Sequence, residues 1–302
     1  MANREHKIVG LGELLWDLLP RGKQLGGAPA NFAYITNLLG DEGIAASRVG
    51  SDLLGAEALQ CLRHLGLTTA CIQTDSIHST GTVKVEIDSG GQPRFEVSSL
   101  VAWDFLEWTP EWQELAEHTQ AVCFGSLAQR SEPSRSTIRK FLHATGHEAV
   151  RIFDVNLRQT FYTAEILAAS MNLATIVKLN HEELPRLMHM LARPHQDEEG
   201  SARCLLSLYD LELVCVTRGN GGSLLVSKDE SSAHSGFRVK VADTVGAGDA
   251  FTAALVHEFL RGASLDRINE TANRVGAWVA SEVGATPMLN TGGLEATLSR
   301  VG

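Results

Sequence analysis

Short apolar runs alternate with amphipathic segments along most of this chain, and that rhythm limits the fold more than any other feature. Lys7–Leu11 reads as a first strand. Pro29–Leu39 follows with Phe32, Ile35 and Leu38 at helical spacing and Gly40 as its stop. Leu53–Leu65 reads as a second helix, ended by Gly66. Ala121–Phe124, Arg151–Asp154, Thr175–Leu179 and Leu211–Thr217 are runs of the kind that buried strands make. Helical patterns separate them at Ser134–Thr145, Thr163–Asn172, His181–Leu191 and Ser201–Tyr209, and one more spans 266–282. Strands buried on both faces and joined through helices predict an α/β fold with a mainly parallel sheet covered on each side.

One region departs from the rhythm. Thr82–Asp88 alternates with period two, turns at Ser89-Gly90-Gly91 and resumes at Arg94–Val97, which predicts a hairpin with one polar face. Glu13–Leu25 is also strand-like. Together they predict a small β subdomain, either a lid drawn from about 13–25 and 81–103 or a peripheral hairpin with no moving role. Ala192–Ser201 is polar and reads as an exposed loop. The α/β pattern resumes after it, so one domain is expected over 1–302.

Composition narrows the partners. With 44% hydrophobic residues the chain can bury a sizeable core, and a net charge of −10 without a basic tract argues against nucleic acid. Cys61, Cys71, Cys123, Cys204 and Cys215 are widely spaced among apolar neighbours and read as reduced thiols. Met1–Lys7 has no apolar leader run, and no stretch approaches the roughly 20 apolar residues of a membrane helix. A cytoplasmic protein without a membrane partner is the expectation.

The densest chemical signal is Asp243-Thr244-Val245-Gly246-Ala247-Gly248-Asp249-Ala250-Phe251. Small residues let the backbone approach a ligand, and Phe251, Leu255 and Phe259 start a helical pattern at once. This predicts that Gly246, Ala247 and Gly248 present N–H groups at a helix N-terminus, which favours an anion. A carboxylate at Asp249 would repel phosphate unless it accepts a proton from an attacking hydroxyl. A capping Asp before an ordinary helix is the other reading of the motif alone. Upstream, Gly26-Gly27-Ala28-Pro29-Ala30-Asn31 precedes a helix, and Asp17 stands among apolar residues. Asp and Asn can take paired hydroxyls of a polyol; a surface-turn Asp and a helix-start Asn are the plainer alternatives.

In order and spacing, 26–31 and 243–251 resemble the two signature regions of the pfkB, or ribokinase-like, carbohydrate kinases. Asp154-Val155-Asn156-Leu157-Arg158 resembles the D-x-N-x-R strand end of fructokinase-like members. Asn180-His181-Glu182-Glu183 is similar to the N-x-x-E motif, and Thr217-Arg218-Gly219 with Gly222 to the nucleotide-side turn. The likeness runs from about Ile8 to Pro287.

It implies a three-layer ribokinase-like fold with a β lid. It also implies ATP-dependent phosphorylation of a sugar's primary hydroxyl, most simply fructose to fructose 6-phosphate, with Mg²⁺ and K⁺. Carried over by position, Asp249 is the base and Gly246, Ala247 and Gly248 the anion hole. Asp17, Gly27 and Asn31 meet the sugar, and Asn156 and Arg158 face the substrate and the moving phosphoryl group. Asn180, Thr217, Gly219, Gly222 and Gly248 serve the nucleotide, and Glu183 organises Mg²⁺ through water. Asp243, Val245 and Gly284 resemble a monovalent-cation site. Arg94 is either a lid residue reaching the sugar or a solvated strand residue. Asn273 lies by the adenine or faces solvent, and the exposed face of the lid implies a homodimer.

Other classes lack their fingerprints. There is no G-x-x-x-x-G-K-[ST] loop, and Gly10-Leu11-Gly12 has Leu15 where a dinucleotide fingerprint has its third glycine. A kinase for ribose or 2-keto-3-deoxygluconate remains the nearest alternative, Arg158 suiting a sugar acid. A silent sugar sensor would have lost the base or the glycines, and both are present.

Overall fold

The computed structural model describes residues 6–19, 22–87, 93–194, 196–289 and 292–301, with the backbone alone at 85–87 and 93–95. The strands are β1 (Lys7–Leu11), β2 (Leu15–Leu19), β3 (Gly22–Gly26), β4 (Glu42–Gly50), β5 (Ile72–Asp75), β6 (Gly81–Ile87) and β7 (Pro93–Val97). They continue with β8 (Ala121–Gly125), β9 (Val150–Asp154), β10 (Ile176–Asn180), β11 (Leu213–Thr217), β12 (Ser223–Ser227) and β13 (Ser231–His234). The first five helices are α1 (Ala28–Leu38), α2 (Leu53–His64), α3 (Pro110–Glu117), α4 (Glu132–Ala144) and α5 (Ala164–Leu173). The others are α6 (Glu183–Met190), α7 (Glu198–Tyr209), α8 (Ala247–Phe259), α9 (Leu265–Ala280) and α10 (Gly293–Leu298).

Nine strands form the central sheet in the order β13-β12-β11-β10-β9-β8-β1-β4-β5. Neighbours from β11 through β5 run parallel, and β12 and β13 extend one edge antiparallel. Successive side chains enter opposite layers. Ile8 packs with α1, α8 and α9, whereas Val9 and Leu11 pack with α3 and α4. Both faces are therefore dry, which explains why these strands read as continuous apolar runs. Helices α1, α2, α8, α9 and α10 cover one face and α3–α7 the other, giving the three-layer α/β/α arrangement.

Local chemistry starts several helices. Asp52, Thr163 and Asp197 each accept an N–H from their helix's first turn, from Gly55, Ile166 and Gly200 respectively. The parallel strands share a direction, so β1, β8, β9, β10 and β11 end along one edge of the sheet, where ligand sites of such folds form.

A second sheet of four strands, in the order β3-β2-β6-β7, stands at that edge. Strands β2 and β6 pair parallel, with antiparallel partners outside them. The hairpin read from 82–97 is present as β6 and β7; its turn, 88–92, lies outside the described residues. The strand content expected to run to 103 ends at Val97, since Ala102–Phe105 is a single 3₁₀ turn that buries Trp103. The loop expected over 192–201 is shorter, because α7 starts at Glu198 behind its Asp197 cap. Strand β4 was not expected: Glu42–Gly50 is rich in Gly, Ala and Ser rather than β-branched residues. It nonetheless pairs on both sides, with β1 and β5, and Gly43 lies so close under α1 that a Cβ there would sit 2.0 Å from the Ala33 carbonyl oxygen.

Candidate active site

A cleft opens where β1, β8 and β9 end, with about 380 Å³ of empty space, part of it open to solvent. Helix α8 begins beside it with no side-chain cap. Gly246 adopts φ +77°, and a Cβ there would meet the Ala285 Cβ at 2.4 Å. Glycine is required twice over, for the left-handed backbone and for the close approach. The Ala247 N–H turns back to the Thr244 carbonyl at 3.3 Å, so of the three expected anion-hole residues this one is engaged internally. A Cβ on Gly248 would lie 3.1 Å from the Lys178 ammonium.

Asp249 stands on the first turn of α8 and lines the cleft. The Asn31 side-chain amide donates to its Oδ2 at 2.8 Å, so residues 218 positions apart meet directly. Asp249 is half-buried, and the loss of water around its carboxyl pushes its pKa up to about 6 against the pull of the Asn31 hydrogen bond. Asp154 adds repulsion, and Lys178 and Arg158 oppose it. Below lies a buried pair, Lys178 Nζ donating to Asp154 Oδ2 at 2.9 Å. Burial works to lower the Lys178 pKa, but the adjacent Asp154 holds it above the usual lysine range. The Thr252 hydroxyl reaches the same Asp154 oxygen at 3.4 Å.

On the sheet side, Asp17 is half-buried on β2. Burial raises its pKa, and the Arg158 charge partly offsets the rise. Arg158 itself is exposed; Asn156, at φ +39°, turns the chain after β9. Gly27 precedes α1 at φ +116°, where a Cβ would lie 2.5 Å from the Glu13 carbonyl oxygen. Arg94 lies on β7, its side chain outside the described residues.

Toward β10 and β11, the Asn180 side-chain oxygen accepts the N–H groups of Glu182 and Glu183, both at 2.9 Å, and starts α6. Glu183 is buried, not on an exposed helix face: its oxygens accept the Leu157 N–H at 2.7 Å and the Asn180 N–H at 2.9 Å. It therefore joins the ends of the second and third motifs. Burial raises its pKa, opposed by the Asn180 N–H. Thr217 ends β11, and Gly219 and Gly222 turn at φ +57° and +80°. Asp243 accepts the Val245 N–H at 3.0 Å and the Gly284 N–H at 3.2 Å, which brings the three residues of the expected cation site together. Asn273 does not face solvent. Its amide donates to Ser223 at 2.7 Å and to the Asn269 side chain at 2.9 Å, inside the seam between α9 and β12.

Glu13, Lys178, Cys123 and Thr252 were missed. Lys178 had a signal: a lysine inside the apolar strand Ile176–Asn180 needs a partner. Glu13 had only its place after Gly12. It is buried beside the cleft; burial pushes its pKa up to about 7, and Asp249 adds repulsion.

Residues 20–292 match the model of the pfkB family of carbohydrate kinases. The chain is 32% identical to the fructokinase of Escherichia coli over 303 residues, covering 94% of this chain and 96% of the relative. A sugar kinase from Pyrococcus horikoshii, solved in complex with ATP, is 29% identical with a TM-score of 0.78, covering 92% of this chain and 94% of that one. The fructokinase of Vibrio cholerae O395, solved with fructose, ADP and calcium, gives a TM-score of 0.80 at 26% identity, covering 97% and 99% of the two chains. A double mutant of that enzyme is known with fructose, ADP and potassium. The central sheet, the five motifs gathered along its edge and these likenesses agree: the fold is ribokinase-like, and the chain belongs to the pfkB family of carbohydrate kinases.

Proposed function

We propose that the protein transfers the γ-phosphoryl group of ATP to the primary hydroxyl of a sugar, with fructose, phosphorylated at O6, as its substrate. The Asn31–Asp249 hydrogen bond supports this most, because it sets the candidate base between the sugar-side turn and the helix terminus that suits a phosphoryl group. The hydroxyl proton passes to Asp249 as the oxygen attacks in line; the new O–P bond forms while the bond to the β-phosphate oxygen breaks. Gly246, Ala247 and Gly248 offer the α8 terminus to the developing charge. Asp17, Gly27 and Asn31 hold the sugar, with Asn156 and Arg158 beside the moving group. The Arg158 charge already faces Asp17, Glu13 and Asp249, which favours a neutral sugar over a sugar acid. Asn180, Thr217, Gly219 and Gly222 take the nucleotide.

Magnesium, when bound with ATP, neutralises charge on the phosphate oxygens. Among the described residues no three His, Cys, Asp or Glu side chains are grouped to hold an ion. Glu183, whose carboxyl accepts the Asn180 N–H, would meet an ion carried by the nucleotide through water. Asp243, Val245 and Gly284 would hold a potassium ion through backbone oxygens. The chain acts as one kinase domain; the four-stranded sheet closes over the sugar and, by likeness to the family, pairs two copies in the cytoplasm.

A coupled ADP-release assay tests this, with fructose, ribose, 2-keto-3-deoxygluconate, tagatose and adenosine as acceptors. Turnover with fructose is the expected result. Turnover with another sugar alone keeps the mechanism and discards fructose. Silence with every acceptor, together with tight sugar binding by calorimetry, replaces the kinase with a sensor.

A further inference from the structure

The loop from β9 to α5 carries Asn156 and Arg158, and its backbone is strained. Asn156 and Gln159 both lie in the left-handed region, at φ +39° and +50°. Residues with a Cβ seldom adopt it, and they stay there only where surrounding contacts over-determine the turn. Close to β9 two contacts do so: the Ser126 hydroxyl donates to the Val155 carbonyl at 2.8 Å, and Glu183 accepts the Leu157 N–H. Farther along, the Phe161 N–H closes a turn onto the Arg158 carbonyl at 3.1 Å. The Phe161 ring is held in its turn by Arg130, whose guanidinium carbon lies 4.7 Å from the ring centre.

Arg130 ends the 3₁₀ turn Leu127–Arg130 that follows β8, and its side chain is only 9% exposed. Its Nε and one terminal nitrogen donate to the two Asp104 oxygens, each at 2.8 Å, and that terminal nitrogen also reaches the Ser98 carbonyl. The guanidinium lies over the Trp103 indole as well, 4.0 Å from the ring centre. Ser98, Trp103 and Asp104 belong to the segment that leaves β7. The same indole packs on Gly81, the first residue of β6, where a Cβ would meet its nitrogen at 2.2 Å. A guanidinium suits such a joint, because its edges pair with carboxylate while its faces stack on rings.

We infer that Arg130 is a positioning residue, which ties the strained loop after β9 to the root of the four-stranded sheet and so sets where Asn156 and Arg158 stand. The inference rests on the proposed place of that loop beside the moving phosphoryl group, and it assigns Arg130 no contact with the reacting atoms.

The test compares wild type with Arg130→Met, Phe161→Leu and Phe161→Tyr. It reads exchange of the backbone amides at 101, 157 and 161, with kcat and both KM values for the acceptor that wild type turns over. R130M should speed exchange about tenfold at all three amides. F161L leaves the ion pair intact and should speed it about fivefold, at 157 and 161 only. Both should lower kcat roughly tenfold while ATP KM stays within about twofold. F161Y restores a ring face and should recover most of the loss. If R130M does not fold, the double variant R130M/D104N leaves no unpaired buried charge and takes its place. A lower melting temperature with wild-type kcat in both R130M and F161L overturns the inference, and so does unchanged exchange at 157 and 161. If wild type phosphorylates no acceptor, the kinase reading fails, and the exchange comparison still decides whether Arg130 holds the loop.

Discussion

Asp249 is half-buried at the cleft and accepts a hydrogen bond from Asn31, and these two influences oppose each other. Burial disfavours the ionised form that a base must have; the amide favours it. With the pKa raised to about 6, the base is protonated as pH falls, so kcat/KM should drop through an acidic limb near pH 6. Asn31→Leu removes that hydrogen bond and should move the limb to higher pH, a shift that rate profiles between pH 5 and 9 would reveal. Asp249→Asn should lower kcat by about 10²- to 10⁴-fold while leaving sugar and ATP binding largely intact. Near-wild-type kcat in that variant would remove Asp249 from the mechanism. The motif around Asp249 was plain in the sequence, but its charge environment was not. Lys178 and Asp154 come from separate strands and Glu13 from the segment between β1 and β2, and they meet it only after folding.

The termini of α1 and α8 depend on close backbone contacts. Gly246 combines φ +77° with an approach to Ala285 that leaves no space for a methyl group. Gly246→Ala should therefore cost on the order of 1–3 kcal/mol of stability and distort the anion-binding turn. Chemical denaturation and kcat would both fall, whereas a variant that unfolds like wild type would show that the turn can relax. Helices and core strands were legible because their apolar spacing is local. Strand β4 was hidden, since its small residues serve close packing under α1 rather than β propensity. The segment after Val97 was misread for the opposite reason. Val101, Ala102 and Trp103 look strand-like in sequence, yet they turn inward to bury the indole.

Across the molecule, buried carboxyls pull stability in opposite directions with pH. Asp41 is fully buried where β1, the α1–β4 turn and the C-terminal end of α8 converge. His257 contacts it at 2.7 Å, Arg261 at 2.8 Å and His6 at 3.2 Å. Burial works to raise its pKa, but His257 and Arg261 hold it well below the usual carboxylate range. Its contribution is present above the ordinary Asp value and is lost as pH falls toward the folded one. Glu13 behaves oppositely, because its folded pKa of about 7 lies above the ordinary 4.5. The native state holds its proton more tightly, so stability declines as pH rises from about 4.5 through 7. E13Q should then be more stable than wild type at pH 8, by on the order of 3 kcal/mol, with the difference gone near pH 4. Equal melting temperatures for the two at pH 8 would show that Glu13 is not strained by its burial.

The sequence by itself determined the parallel sheet, the helices on its faces, the hairpin at 82–97 and the five motifs. Each of these is written in neighbouring residues, as apolar periodicity, glycine turns or short polar strings. Tertiary structure alone decided which groups share a cleft. It buried Glu183 against two backbone N–H groups, turned Asn273 into the α9–β12 seam and buried Glu13 against the cleft. Those outcomes depend on parallel strands far apart in sequence ending side by side, and on how much water each buried polar group then loses. No local pattern records either quantity.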